Sequence, residues 1–226
     1  MTPKTFDLTP RGRLMRRSAI LMVLVFLLPA YSSMAATVDG ELSDWSVESY
    51  MGTDSNGVSL HLDWDSSNLY LAWNGTDLAA SDGADLFFYL NTSEAGSVTA
   101  KSWNGIKTLP FAADYAIIVE DSTYAKIIGF NGTQWNDLAD PEIYAGHSEN
   151  KITELSIPLT DIGNPSHMEL ISWAQWQTAG NVWATFPMNN SFSQFSHFYS
   201  ATDLANQTPS DLTIEERATP EKVEEL

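Results

Sequence analysis

The 226-residue chain contains no cysteine. Disulfides are therefore excluded as a source of stability, and so is covalent c-type haem attachment through a Cys-x-x-Cys-His motif. Basic residues are scarce: 11 Lys and Arg stand against 29 Asp and Glu, a formal charge of −18. A surface of that sign repels phosphate backbones and anionic lipid, so nucleic acid is not an expected partner. The four histidines, His61, His147, His167 and His197, fall in no His-Glu-x-x-His spacing, and the chain has no Gly-x-Ser-x-Gly elbow or phosphate loop. Those gaps remove the usual signatures of metallopeptidases, serine hydrolases and nucleotide enzymes. Two carboxylates are all a glycosidase needs. Nothing in the sequence singles out such a pair, and the chain reads as a non-enzyme.

Long hydrophobic runs are also missing. The strongest, Ala19-Ile-Leu-Met-Val-Leu-Val-Phe-Leu-Leu28, is shorter than the roughly 20 residues a bilayer requires. Lys4, Arg11, Arg13, Arg16 and Arg17 precede it, and Ser33-Met-Ala35 follows. A basic segment, a short apolar run and small residues form the pattern of a cleaved signal peptide. Residues 1–35 are therefore predicted to be removed, leaving a secreted protein without a membrane span, extracellular, at the cell surface, or periplasmic where the host has two membranes. The remainder holds six basic and 28 acidic residues, or −22. That excess serves solubility or divalent-cation binding. Asn-x-Ser/Thr sequons at Asn74, Asn91, Asn131, Asn189 and Asn206 mark surface positions where the host glycosylates them.

Helical periodicity is absent over any long stretch, while strand periodicity is abundant. Residues 58–64 alternate apolar and polar without a break, residues 65–68 turn the chain, and residues 69–73 place Leu69, Leu71 and Trp73 on one face, which predicts an antiparallel hairpin. Leu86-Phe-Phe-Tyr-Leu90 is apolar on both faces, as a central strand in stacked sheets requires. Further pairs are predicted for residues 115–119 with 124–130, 142–146 with 152–157, and 168–176 with 182–186; Asn131-Gly132 supplies a tight turn. A short helical turn is expected near residues 158–163. Residues 92–112, with Gly96, Trp103, Gly105 and Pro110, read as a long loop of functional or mobile character. The predicted fold is all-β, one antiparallel β-sandwich over residues 37–204, followed by a flexible acidic tail at 205–226.

In this order, Val38-Asp-Gly-Glu-Leu-Ser-Asp-Trp45, Trp64-Asp65, Asn68-Leu-Tyr-Leu-Ala72, Asp82-Gly-Ala-Asp-Leu-Phe-Phe-Tyr-Leu90 and Glu154-Leu-Ser-Ile-Pro-Leu-Thr-Asp-Ile-Gly163 resemble the family-nine-like carbohydrate-binding modules of the DOMON-like superfamily. Similar modules accompany secreted glucodextranases and amylopullulanases. The resemblance runs from Val38 to Trp176 and implies a jelly-roll or DOMON-like sandwich, export, and non-catalytic binding of a polysaccharide or cell-surface glycan, often with structural calcium. It transfers no binding residues, because the matching positions are mainly strand and turn residues. Asp39-Gly40 and Ser43-Asp44 read as turns that lead Trp45 into the sandwich.

Sugar recognition stacks a pyranose on an aromatic ring whose large apolar face is electrostatically favourable. Trp45, Trp64, Trp73, Trp173 and Trp183 sit in strand patterns and read as core. Trp103 and Trp135 have polar loop neighbours, and Trp176 lies on the opposite strand parity from Trp173, so these three are the candidate glycan contacts. Calcium takes six to eight oxygens from turns; the candidate ligands are Asp63 and Asp65 in one acidic turn and Asp82 and Asp85, near Asp77, in another. Ordinary turn capping is the competing account. Two further readings stay open: a haem-binding DOMON-type electron-transfer domain using His61, His197, Met51 or Met168, and a structural envelope protein without ligand. His61, on the polar parity of its strand, reads as facing solvent.

Overall fold

Alternation of apolar and polar side chains along short segments builds two stacked antiparallel sheets, and the computed structural model describes them over residues 36–78, 83–93, 95–101 and 105–217. The strands in chain order are β1 (Tyr50–Thr53), β2 (Ser59–Trp64), β3 (Asn68–Asn74), β4 (Ala84–Asn91), β5 (Ser97–Ala100), β6 (Lys107–Ala113), β7 (Tyr115–Val119), β8 (Ala125–Phe130), β9 (Trp135–Ala139), β10 (Glu142–Tyr144), β11 (Ile152–Pro158), β12 (Met168–Trp176), β13 (Val182–Phe186), β14 (His197–Ala201) and β15 (Thr213–Glu216). The smaller sheet has the order β1-β2-β3-β11-β10. The larger has the order β15-β14-β12-β4-β7-β8-β9, with β13 also paired to β12. The fold is an all-β antiparallel sandwich, as the sequence predicts. The predicted helical turn is a 3-10 helix over Leu159–Ile162, ended by Gly163 in the left-handed region.

Between the sheets lies the first core. Leu60, Leu62, Leu69, Leu71, Trp73, Leu155 and Ile157 of the small sheet meet Leu86, Phe88, Leu90, Ile117, Leu170 and Phe186 of the large one. Trp73 meets Phe88 and Phe186 edge to face at 6.2 and 5.1 Å. A second core covers the opposite face of the large sheet, where Phe87, Tyr89, Ile118, Ile171, Trp173 and Phe198 pack under Leu109, Phe111 and Phe195. Two interfaces explain why both faces of β4 are apolar.

The cover over that second face corrects the reading of residues 92–112 as a loop. Residues 97–100 and 107–113 pair as the β5–β6 hairpin, irregular between Ser97 and Thr99. Leu109, Phe111 and Ala113 are buried by it. The expected tail also departs from its description. Residues 213–216 pair with β14 from Thr213 opposite Ser200 to Glu216 opposite His197, and Arg217 binds Glu169 at 2.8 Å and lies 4.8 Å over the Phe198 ring. All four β15 side chains are exposed, so backbone pairing holds this edge with no apolar pattern to announce it.

Trp45 stands elsewhere than expected. It lies on the outer face of the small sheet, edge to face with His61 at 5.9 Å, and its indole donates to Glu154 Oε1 at 2.8 Å. His61 is accordingly half-buried between Trp45 and Tyr50, and burial lowers its pKa. Glu154 also accepts from the backbone N–H groups of Asp39 and Gly40 at 2.9 and 2.5 Å. Burial pushes its carboxyl up, opposed by these donors. Gly40 is required there: its φ is +87°, and a Cβ would lie 2.5 Å from the Tyr144 ring.

Candidate functional site

One end of the sandwich collects the features that sequence alone scattered. There β12 runs out at Trp176 opposite Ala84, β13 begins at Val182 opposite Gln175, and β7 ends at Val119 opposite Leu86. The turn between β12 and β13 is tied down on both sides: Trp176 N–H donates to Asn181 O, Gln177 N–H to Gly83 O, and Lys107 Nζ to Gly180 O. The Asn56 amide donates to Trp183 O at 2.7 Å, which brings the β1–β2 turn alongside.

Strand alternation separates the side chains at this end by face. Trp173 faces the second core and is fully buried, whereas Trp176 takes the other parity and is 44% exposed. Trp176 stacks on Trp183, with ring centroids 5.5 Å apart and planes 26° apart. The lower ring fixes the upper one and leaves an indole face toward solvent. Trp183 Nε1 is buried without a hydrogen-bond partner. Across the turn, on the hairpin side, lies an open groove of about 610 Å³ lined by Ile106, Lys107, Thr108, Asn181, Phe192 and Gln194 among others. Ile106 and Phe192 expose large apolar areas at its rim, and the remaining lining offers amide, hydroxyl and ammonium groups.

Beneath the turn sits a buried polar pair with three atoms unpaired among the described residues. Asp85 and Gln175 are cross-strand neighbours, 1% and 0% exposed. Gln175 Oε1 accepts from Trp173 Nε1 at 3.3 Å, which places both side chains on the hairpin face beside the stacked rings of Phe87, Trp173 and Tyr89. Both Asp85 oxygens and Gln175 Nε2 are unsatisfied. Burial, and then the charges of Glu120 and Asp121, raise the Asp85 carboxyl from 3.8 to about 7. Above the pair, Gln177 Nε2 donates to Glu120 Oε1.

The other sequence candidates are distributed differently. Trp135 is half-buried against Tyr89, centroids 5.4 Å apart, and donates to Thr99 O at 3.1 Å, so it props the β5–β6 hairpin on the face opposite Trp176. Trp103 and Asp82 lie outside the described residues. Asp65 caps its own turn, accepting from the N–H groups of Ser67 and Asn68 and from the Tyr70 hydroxyl. Asp63 is buried and accepts from Trp64 N–H at 2.8 Å. Among the described residues no three His, Asp or Glu side chains converge as a metal group. Of the haem candidates, His61 lies on the outer face of the small sheet while Met51 packs toward the inter-sheet core and Met168 is buried within it; His197 contacts Ser196 Oγ at 3.0 Å.

Strand parity against Trp173 anticipated that Trp176 faces outward. Sequence reasoning missed Gln175, Glu120 and Gln177, whose only signal was a polar side chain at the close of apolar strands. Among the described residues no helix is long and apolar enough to cross a membrane. Comparison of the chain with protein-family models, with curated proteins and with solved structures finds no match.

Proposed function

We propose that this protein is an exported, non-catalytic glycan-binding module and that the sandwich end around Trp176 is its binding surface. The observation that carries this reading is the exposed Trp176 indole, backed by Trp183, at the same end of the sandwich as an open groove on the hairpin face. An immobilised ring offers a pyranose a flat apolar face at little entropic cost, and the amide and hydroxyl groups across the turn suit sugar hydroxyls. The resemblance to family-nine-like carbohydrate-binding modules supports the same class, as does a surface too acidic for nucleic acid. Trp135 takes no part in this reading, since its indole N–H is occupied within the hairpin.

Affinity electrophoresis against α-glucans, β-glucans and cell-wall glycans tests the proposal directly. At least one polysaccharide should retard the wild-type protein. Trp176→Ala should weaken that retardation by about tenfold, the order expected for loss of one stacking ring and its buried area, while its melting temperature stays close to wild type. Free migration of the wild-type protein in every glycan would sink the reading.

A further inference from the structure

The buried pair beneath the turn carries an inference that rests on the glycan-binding reading and narrows it. An ionisable carboxyl that is 1% exposed ordinarily has a hydrogen-bond or ionic partner, because isolated burial is costly. Asp85 has none for either oxygen, and its cross-strand neighbour Gln175 has a spare amide donor. Charge around them is uncompensated. Glu120 and Asp121 act on Asp85 with the same sign. At this end of the sandwich Lys107 donates to Gly180 O, and Lys101 and Lys126 pair with Asp137 and Asp140. Two unsatisfied acceptors flanked by two like charges call for a group that donates and is positively charged.

Position links this pair to the groove on the hairpin face. Gln175 takes the opposite strand parity from Trp176 and pairs across the sheet with Val182, which lines that groove, and Gln177 donates to Glu120 in a half-buried hydrogen bond. A saccharide held in the groove lies one strand from the pair, whereas one stacked on Trp176 lies on the other face of the sheet. Release of Gln177 from Glu120 would open the way down to Asp85 and leave Glu120 free to take part.

We propose that Asp85 and Gln175 form an inner subsite for a protonated amino group, so that this end of the sandwich selects polysaccharides of deacetylated amino sugars over N-acetylated or neutral ones. The ammonium donates to Asp85 and faces Glu120, and the Gln175 amide donates to an adjacent sugar oxygen. An N-acetyl group removes the charge, and a hydroxyl carries none.

The test compares binding of a glucosamine hexamer, an N-acetylglucosamine hexamer and a soluble neutral glucan by titration calorimetry at pH 7, where the Asp85 carboxylate and the sugar ammonium are both populated. The wild-type protein should bind the glucosamine hexamer about tenfold or more tighter than the acetylated one, the order of one charge-assisted hydrogen bond. Asp85→Asn should abolish that preference, and Glu120→Gln, at a more exposed position, should reduce it even if the Asn variant proves unstable. Trp176→Ala should weaken all ligands alike. Equal affinity for the two hexamers overturns the inference, as does a preference that survives both substitutions; ordered water would then account for the pair. If a neutral glycan still binds in that case, the glycan-binding reading stands and only the amino-sugar subsite falls. If no glycan binds at all, both fall.

Discussion

At the scale of single residues, Asp85 makes a prediction about stability that is independent of any ligand. Its carboxyl has an ordinary value of 3.8 and is held at about 7 in the fold, so the native state binds its proton more strongly than the unfolded chain does. The stability this contributes is complete below about pH 4 and is lost as pH rises through 7; full burial would set its size at up to about 4 kcal/mol. Asparagine is uncharged at every pH and of nearly the same shape. Asp85→Asn should therefore melt above wild type at pH 8, and the gap should shrink on descent to pH 5. A thermal melt series of both proteins decides it: a constant offset across pH would show that Asp85 is charged throughout or reaches solvent. The same residue explains a limit of sequence reading. Asp85 precedes an apolar run and reads as a turn acid, whereas its neighbours in space, Gln175 and Glu120, arrive from strands 90 and 35 positions away in the chain.

Elements show where local pattern suffices and where it fails. Residues 58–64, 69–73 and 86–90 were legible because each strand lies against a core, so alternation or its loss reports directly on the faces it covers. Trp176 was legible for the same reason. The β5–β6 hairpin was not. It has strands of four and seven residues, an irregular register and Pro110 inside β6, and its apolar side chains acquire meaning only against the far face of a sheet assembled from remote strands. Phe111 tests that role. It is 2% exposed and meets Phe198 edge to face at 5.4 Å. Phe111→Ala should cost about 3–5 kcal/mol in denaturant unfolding. Little change would mean that the hairpin is a detachable cover. The segment ahead of β1 has its own anchor in Glu154, which accepts from Asp39, Gly40 and Trp45 together. Glu154→Ala orphans three donors and should cost about 2–4 kcal/mol. It should also expose residues 37–45 to limited proteolysis, whereas unchanged protection would mean that Trp45 packing alone holds them. The opening acids cap local turns, Asp39 accepting from Glu41 N–H and Asp44 from Thr37 N–H, while backbone N–H groups and the Trp45 indole dock the segment on the outer face of the small sheet.

For the whole molecule, the dominant quantity is charge. Residues 36–226 carry −22, and the described ion pairs are few and largely exposed, as with Lys126 and Asp140 or Lys101 and Asp137. Exposed pairs of this kind contribute little, about 0–1 kcal/mol each. Self-repulsion therefore goes mostly uncompensated, and added salt should stabilise the fold by shortening the Debye length from about 30 Å at 0.01 M to about 8 Å at 0.15 M. The melting temperature should rise over that range in NaCl. Calcium separates screening from a site. A resident ion stabilises by mass action, about 2.7 kcal/mol at a hundredfold excess over its dissociation constant, and chelator reverses the gain. Asp65 is committed to its own turn, and among the described residues no three His, Asp or Glu side chains converge as a metal group. CaCl2 at matched ionic strength should then raise the melting temperature about as far as NaCl does. A surplus specific to calcium and lost on chelation would instead establish a bound ion. Repeating that melt with Asp85→Asn would tell whether the ion sits at Asp85, because a metal and a protonated amine would compete for the same two carboxylate oxygens.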